Sequence, residues 1–184
     1  MKKLIHSEIA ATRLTESDAA KAEGRFPLIA ILDNIRSMYN VGSIFRTSDG
    51  ARIEAIFTVG FTPHPPRKEI EKTALDATRT VPFKHFPTME EAIKECRSRN
   101  MKIAALELTD KSRSIFDVRE TDFPMALIIG NEITGVSEEA LAYCEESFRI
   151  PMFGAKHSLN VAVAYGIAVF ECIRAGTKNN ISTP

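Results

Sequence analysis

From residue 26 onward, short apolar runs alternate with stretches of helical spacing. PLIAILDN (27–34), EAIFTVG (54–60), MKIAALEL (101–108), MALIIGN (125–131) and SFRIP (147–151) are brief, apolar and mostly closed by Gly, Asn or Pro. Such runs read as strands covered on both faces, the state of strands in a parallel sheet. TVPFKHF (80–86) is a weaker strand candidate. Between them the pattern predicts helices over 41–51, after Asn40, and over 89–99, after Thr88, with Glu91 completing a capping box. Ser137 opens a short helix, SEEALAYC, with two acids in its first turn. A last helix is predicted from near Ser158 to a C-terminal cap at Gly176. TPHPPRKE (62–69) reads as a stiff surface loop that could act as a lid or binding edge. This alternation predicts a parallel-sheet α/β domain over 26–176, with its site at the carboxyl ends of the strands. Residues 1–25 are expected to be a short helical extension and 177–184 a frayed tail.

Composition narrows the classes. A chain of 184 residues fits one domain with a core large enough to need no staple. The 24 basic residues balance 24 acidic ones, which excludes a strongly basic nucleic-acid coat. A nucleic-acid site must therefore be local. Cys96, Cys144 and Cys172 are scattered, without a CxxC or a nearby histidine at ligand spacing, so free thiols and no metal are expected. The start carries no apolar stretch of signal-peptide length. The longest apolar run, Val161 to Phe170, is about half of the ~20 residues a membrane span needs. A soluble, cytoplasmic protein is expected.

Three loops concentrate the unusual residues. In Asn40-Val-Gly-Ser-Ile-Phe-Arg46, Gly42 admits a ligand or another backbone, and free N–H groups at the helix start favour an anion. Gly42 and Arg46 share a helix face; a capped helix with a surface arginine would look the same. Gly130-Asn-Glu-Ile-Thr-Gly135 leaves the most apolar strand, and its two glycines let the backbone wrap a small molecule. It is no P-loop, because Val136 stands where the lysine would, and GxGxxG occurs nowhere in the chain. The third loop runs from Ile150 to Asn160. Ser158 would cap the last helix, leaving Asn160 in its first turn, where an amide is wasted unless something binds it. Ser158 beside His157 makes no hydrolase pair, since sequence neighbours point apart and no GxSxG elbow exists. The helix LNVAVAYGIAVFECI is apolar on nearly every face, which points to a homodimer through this region.

In this order and at these distances, the loops resemble the three sequence motifs of the SpoU family of RNA 2′-O-methyltransferases, within the SPOUT superfamily. NVGSIFRTSDG is similar to the first motif, ALIIGNEITGVSEEAL to the second and IPMFGAKHSLNVAVAYGIAVFE to the third. The resemblance spans roughly residues 26–175. It implies a SPOUT fold with a deep C-terminal trefoil knot and S-adenosylmethionine held bent in it, largely by backbone groups at Leu106, Gly130, Ile150, Met152 and Leu159. It implies a catalytic Arg46, with Asn40, Glu132, Ser158 and Asn160 as the other polar positions of the active site. Arg46 would grip an RNA phosphate and orient the ribose, because a guanidinium does not give up its proton in proteins and is a poor base. Glu132 would brace the first loop through Asn40, and Ser158 and Asn160 would line the ribose and methionine side. Asp76 departs from the small residue many relatives carry there. No appended RNA-binding domain and no long C-terminal helical extension are expected.

The implied reaction is methyl transfer to a ribose 2′-OH of structured RNA, tRNA ahead of rRNA. Phosphate contacts would come from Arg36, Arg46, Arg52, Arg67, Lys68, Lys72 and Arg79. Two other readings are open: a catalytically silent RNA-binding protein that keeps the knot, and a flavodoxin-like nucleotide-binding domain.

Overall fold

A computed structural model describes residues 23–177 without a break, together with 1–5, 7, 8, 14, 15, 17, 18 and 21. The expected tail beyond Thr177, and the positions on which a helix over 1–25 depends, lie outside the described residues. The strands are β1 (Phe26–Asp33), β2 (Ile53–Val59), β3 (Phe83–Phe86), β4 (Lys102–Leu106), β5 (Arg113–Ser114), β6 (Met125–Ile129) and β7 (Glu146–Arg149). The helices are α1 (Met38–Ala51), α2 (Lys68–Ala74), α3 (Ala77–Thr80), α4 (Met89–Ser98), α5 (Glu138–Leu141) and α6 (Val161–Gly176). Among these residues no helix is long and apolar enough to cross a membrane.

The strands form one sheet in the order β3-β2-β1-β6-β4-β7-β5, with every pairing parallel. All five residues of β6 are buried, as expected for a strand with a neighbour on each side and helices on both faces. One face packs Leu28, Ala30, Leu32 and Leu127 against α1, α2 and α6. The other packs Ile29, Ile31, Ala126 and Ile128 against α4 and Ala140 of α5. β1 and β6 lie side by side, yet from β1 the chain goes on to β2 on one flank and from β6 to β7 on the other. Their exit loops therefore part at the carboxyl edge and leave a crevice there, the usual ligand position in an open α/β sheet.

Helix termini depart from the expected positions for local reasons. α1 starts before Asn40: Ser37 is its N-cap, with Oγ accepting from the Asn40 N–H at 3.3 Å. α6 starts after Ser158: Asn160 is its N-cap, accepting from the N–H groups of Ala162 and Val163. The Asn160 amide is thus used by the backbone and is not idle in a first turn. Gly176 is the last helical residue and not a cap; a Cβ there would lie 2.7 Å from the Phe26 ring, so its smallness serves packing. Thr88 caps α4 as expected, accepting from the Glu91 N–H at 3.4 Å. The proline-rich loop ends earlier than expected, because Lys68 and Glu69 already belong to α2.

Gly42 turns out to admit a backbone. A Cβ at this position would lie 2.3 Å from the Ile70 carbonyl and 2.1 Å from Thr73 Oγ1, so its absence lets α2 lie against α1. On its other side α1 is tied to α6 by a 2.6 Å hydrogen bond between the hydroxyls of Ser48 and Tyr165, both fully buried. The helix that carries Asn40 and Arg46 is held on both flanks.

Candidate active site

At the crevice, one carboxylate joins the two diverging loops. Glu132, in the loop after β6, accepts from the Arg36 N–H at 2.9 Å, the Ser37 N–H at 3.0 Å and Asn40 Nδ2 at 2.9 Å. These donors lie at the start of α1, where backbone N–H groups lack helical partners and the dipole favours a negative charge. Asn160 Nδ2 then donates to Asn40 Oδ1 at 3.1 Å, bringing the start of α6 to the same point. Asn40, Glu132 and Asn160, far apart in sequence, form one hydrogen-bonded chain.

The loop after β6 is pinned from below as well. Asn131 Nδ2 donates to the Asn34 carbonyl at 2.7 Å, while its Oδ1 accepts from the Ile133 and Thr134 N–H groups. The buried carboxylate of Asp33 accepts from the Ser137 N–H at 2.9 Å. On the opposite side Thr62, buried, donates to the Leu32 carbonyl and accepts from the Ile35 N–H. Sequence reading passed over Asp33, Asn34, Ser37 and Thr62, although Asp-Asn directly after an apolar strand and a Ser three residues before Asn40 were visible signals.

Beside this junction lies a cavity of about 830 Å³, within the roughly 300–1,000 Å³ range of small-molecule sites. Leu106, Gly130, Ile150, Met152 and Leu159 all line it, as do Glu132 and Ser158. Gly130 has no room for a side chain, since a Cβ would lie 2.1 Å from Gly135 C and Val136 N. The wall there is bare backbone, which suits a ligand gripped by main-chain groups. Leu106, Ile129, Val136 and Phe148 supply apolar surface for a purine, and polar groups of Asn131, Glu132, His157 and Ser158 supply partners for charged ends. The residues present therefore fit S-adenosylmethionine.

Arg46 stands apart from the hydrogen-bonded chain. It lies six residues beyond Asn40, about 9 Å along the helix axis, on an outward stripe with Tyr39 and Ser43. It is exposed and makes no hydrogen bond or ion pair with the described residues, so its guanidinium is available. Arg36, Arg67, Lys68 and Lys72 are exposed in the loops and helices that leave the carboxyl edge. Arg52 and Arg79 are not part of this group. Arg52 follows α1 at the amino end of β2, and its guanidinium donates to the Glu23 carbonyl at 2.8 Å and the Asp18 carbonyl at 3.4 Å. The Arg52 guanidinium thus closes off backbone carbonyls at the amino edge, away from the crevice where a phosphate was expected. Arg79, in α3 just before β3, pairs with Asp76 at 3.7 Å. The unusual acid of this segment thus faces its own arginine.

Partial burial pushes the Glu132 carboxyl up, but hydrogen bonds from the Arg36 N–H, the Asn40 side chain and the Ser37 N–H outweigh it. The net result lies below the ordinary value of 4.5. A lowered folded-state pKa means the stabilisation is present above the unfolded value and lost as pH falls through the folded one. Glu132→Gln is expected to lower stability by about 1 kcal/mol near neutral pH. That deficit should close below pH 4.5 in urea titrations run at a series of pH values.

Comparison with known proteins agrees with this geometry. Residues 27–170 match the model of the SpoU rRNA Methylase family. The tRNA (guanosine(18)-2′-O)-methyltransferase of Thermus thermophilus is 33% identical over 153 residues, 82% of this chain and 76% of that protein. The 23S rRNA (guanosine-2′-O-)-methyltransferase RlmB of a Burkholderia species is 30% identical over 83% of this chain, which spans only 61% of that longer protein. The crystal structure of an AdoMet-bound rRNA methyltransferase from Sinorhizobium meliloti superposes with a TM-score of 0.75 at 30% identity, over 83% of this chain and 57% of that one. The A. aeolicus TrmH/SpoU tRNA modifying enzyme gives a TM-score of 0.75 at 28% identity, over 85% of this chain and 79% of that one. The fold is the SPOUT fold, and the chain belongs to the SpoU methylase family.

Proposed function

We propose that the chain is a metal-independent RNA ribose 2′-O-methyltransferase that uses S-adenosylmethionine and acts on cytoplasmic RNA, tRNA ahead of rRNA. The observation that carries this reading is the meeting of the α1 and α6 N-termini through Glu132, Asn40 and Asn160 beside a cavity lined by bare backbone. The cofactor supplies a methyl group on a sulfonium. When it is transferred, the 2′-oxygen gains a bond to carbon, the carbon–sulfur bond breaks and the hydroxyl proton is released.

The residues divide the remaining work. Arg46, exposed and unpaired among the described residues, holds a phosphate next to the target ribose and so fixes the attack geometry. Glu132 is a positioning residue: three donors already hold its carboxylate and its lowered pKa makes it a weak base. It is not the proton's acceptor. Ser158, which lines the cavity, and Asn160 face the ribose and methionine side. Preference for tRNA is supported by the higher identity of the tRNA-modifying relative, 33% against 30% for the rRNA-modifying one.

The active form is proposed to be a homodimer through α6. One face of this helix is buried in its own domain by Tyr165, Ala168, Val169, Cys172 and Ala175. The opposite side leaves Val163 and Phe170 about half exposed, and Phe153 of the preceding loop is 95% exposed. That is more apolar surface than a lone helix leaves in water without reason. Equilibrium sedimentation should give twice the chain mass of 20.4 kDa, and a monomer at every concentration would remove the dimer.

Arg46→Ala should cut methyl transfer from labelled S-adenosylmethionine to tRNA by about a hundredfold or more while cofactor affinity is unchanged. Normal transfer by this variant would contradict the role given to Arg46.

A further inference from the structure

Glu107, the residue after β4, has no part in the chemistry above, yet it lines the cavity. Its carboxylate lies under the second-motif loop: Oε2 accepts from the Val136 N–H at 2.9 Å and Oε1 from the Leu108 N–H at 2.9 Å. The loop is shaped to let it in. Gly135 has a φ of +70°, and a Cβ there would lie 2.3 Å from Glu107 Oε2. The backbone of Glu107 is itself anchored, its N–H donating to the Phe148 carbonyl at 2.8 Å. An ionised carboxylate offers about four acceptor positions, and two are used. Two remain beside the cavity.

Position decides what they meet. The sheet order runs β1-β6-β4, so Glu107 lies two strands away from the β1 exit where Asn40 and Glu132 hold the methyl-transfer end. Around it the lining is apolar: Leu106, Ile129, Val136, Leu141 and Phe148. A purine nucleoside belongs among such side chains, whereas the charged amino-acid end belongs with Asn131, Glu132, His157 and Ser158. The polar groups of a nucleoside that lie next to its purine are the ribose hydroxyls. A carboxylate with two free acceptor positions matches a vicinal diol, the solution dinucleotide-binding folds use with an acid after a strand.

We propose that Glu107 recognises the ribose diol of the bound S-adenosylmethionine, accepting hydrogen bonds from its hydroxyls while the same carboxylate holds the Gly135–Val136 backbone against the ligand. The assignment rests on the methyl-donor reading above. It makes Glu107 a binding residue for the cofactor and gives Gly135 a reason to be glycine.

Calorimetry on the full chain tests it, with S-adenosylhomocysteine and its 2′,3′-dideoxyribose counterpart as probes. Hydrogen bonds to a charged group predict that the wild type binds the diol ligand roughly ten- to a hundredfold more tightly than the dideoxy ligand. In Glu107→Gln that ratio should fall below about threefold, with affinity for the dideoxy ligand nearly kept, because one carbonyl cannot replace the charged acceptor. Equal weakening of both ligands in the variant would overturn the proposal, leaving Glu107 a loop pin or a partner of the amino-acid end. Wild-type protein that binds both ligands alike would overturn it too, without need of a folded variant. Wild-type protein that binds neither would instead remove the cofactor reading on which it rests.

Discussion

The carboxylate of Glu132 is the constraint on which the site depends. It accepts from two backbone N–H groups and one side-chain amide of the segment that leads into α1, across a gap of more than ninety residues in sequence. Without it the start of α1 would lose its tie to the loop after β6 at the level of the crevice, where the strand order sends the two exit loops to opposite flanks. With it, the loop that walls the cavity and the helix that carries Arg46 are one body. Asn131 and Asp33 repeat the connection lower down, so the junction is held at three levels: Asp33 to Ser137, Asn131 to Asn34 and Glu132 to the start of α1. Asp33 is buried and Asn131 half-buried, so leaving either unpaired would cost free energy, and the exposed Glu132 carboxylate ties the upper end of the same junction.

Much of the sheet was legible because burial on both faces writes an apolar run into the sequence, as in Met125–Ile129 and Leu28–Leu32. β5 was not, being two residues at an edge with Arg113 and Ser114 half-buried. α2 and α3 escaped notice because a left-handed residue, Asp76, interrupts a segment otherwise helical by composition, and because the prolines before Lys68 suggested loop throughout. Helix starts were misread by a few residues wherever two capping residues competed: Ser37 against Asn40, Asn160 against Ser158. The knot that the resemblance implies is a property of how the whole path threads, and no local pattern encodes it.

For the site, the motif residues were visible, and the expected brace from Glu132 to Asn40 is present at 2.9 Å; the link from Asn40 to Asn160 and the outward place of Arg46 were not legible. Sequence spacing groups Asn40 with Arg46; the structure groups Asn40 with Glu132 and Asn160 and leaves Arg46 facing outward. The zero net charge proved compatible with a local cationic edge: Arg36, Arg46, Arg67, Lys68 and Lys72 are exposed there, while Arg52 and Arg79 lie at the amino edge, the first on backbone carbonyls and the second beside Asp76. Affinity for RNA assembled from so few free cations should be modest and salt-dependent. Family membership also disposes of the flavodoxin-like reading.

The central claim is that this junction delivers a methyl group to a ribose oxygen. Its most direct test is nucleoside mass spectrometry of tRNA and rRNA pools after incubation with the purified protein and isotopically labelled S-adenosylmethionine. The account predicts label in a 2′-O-methylated nucleoside, with the neighbouring phosphodiester resistant to alkali. Label on a base, or cofactor binding with no label in either RNA pool, would contradict it.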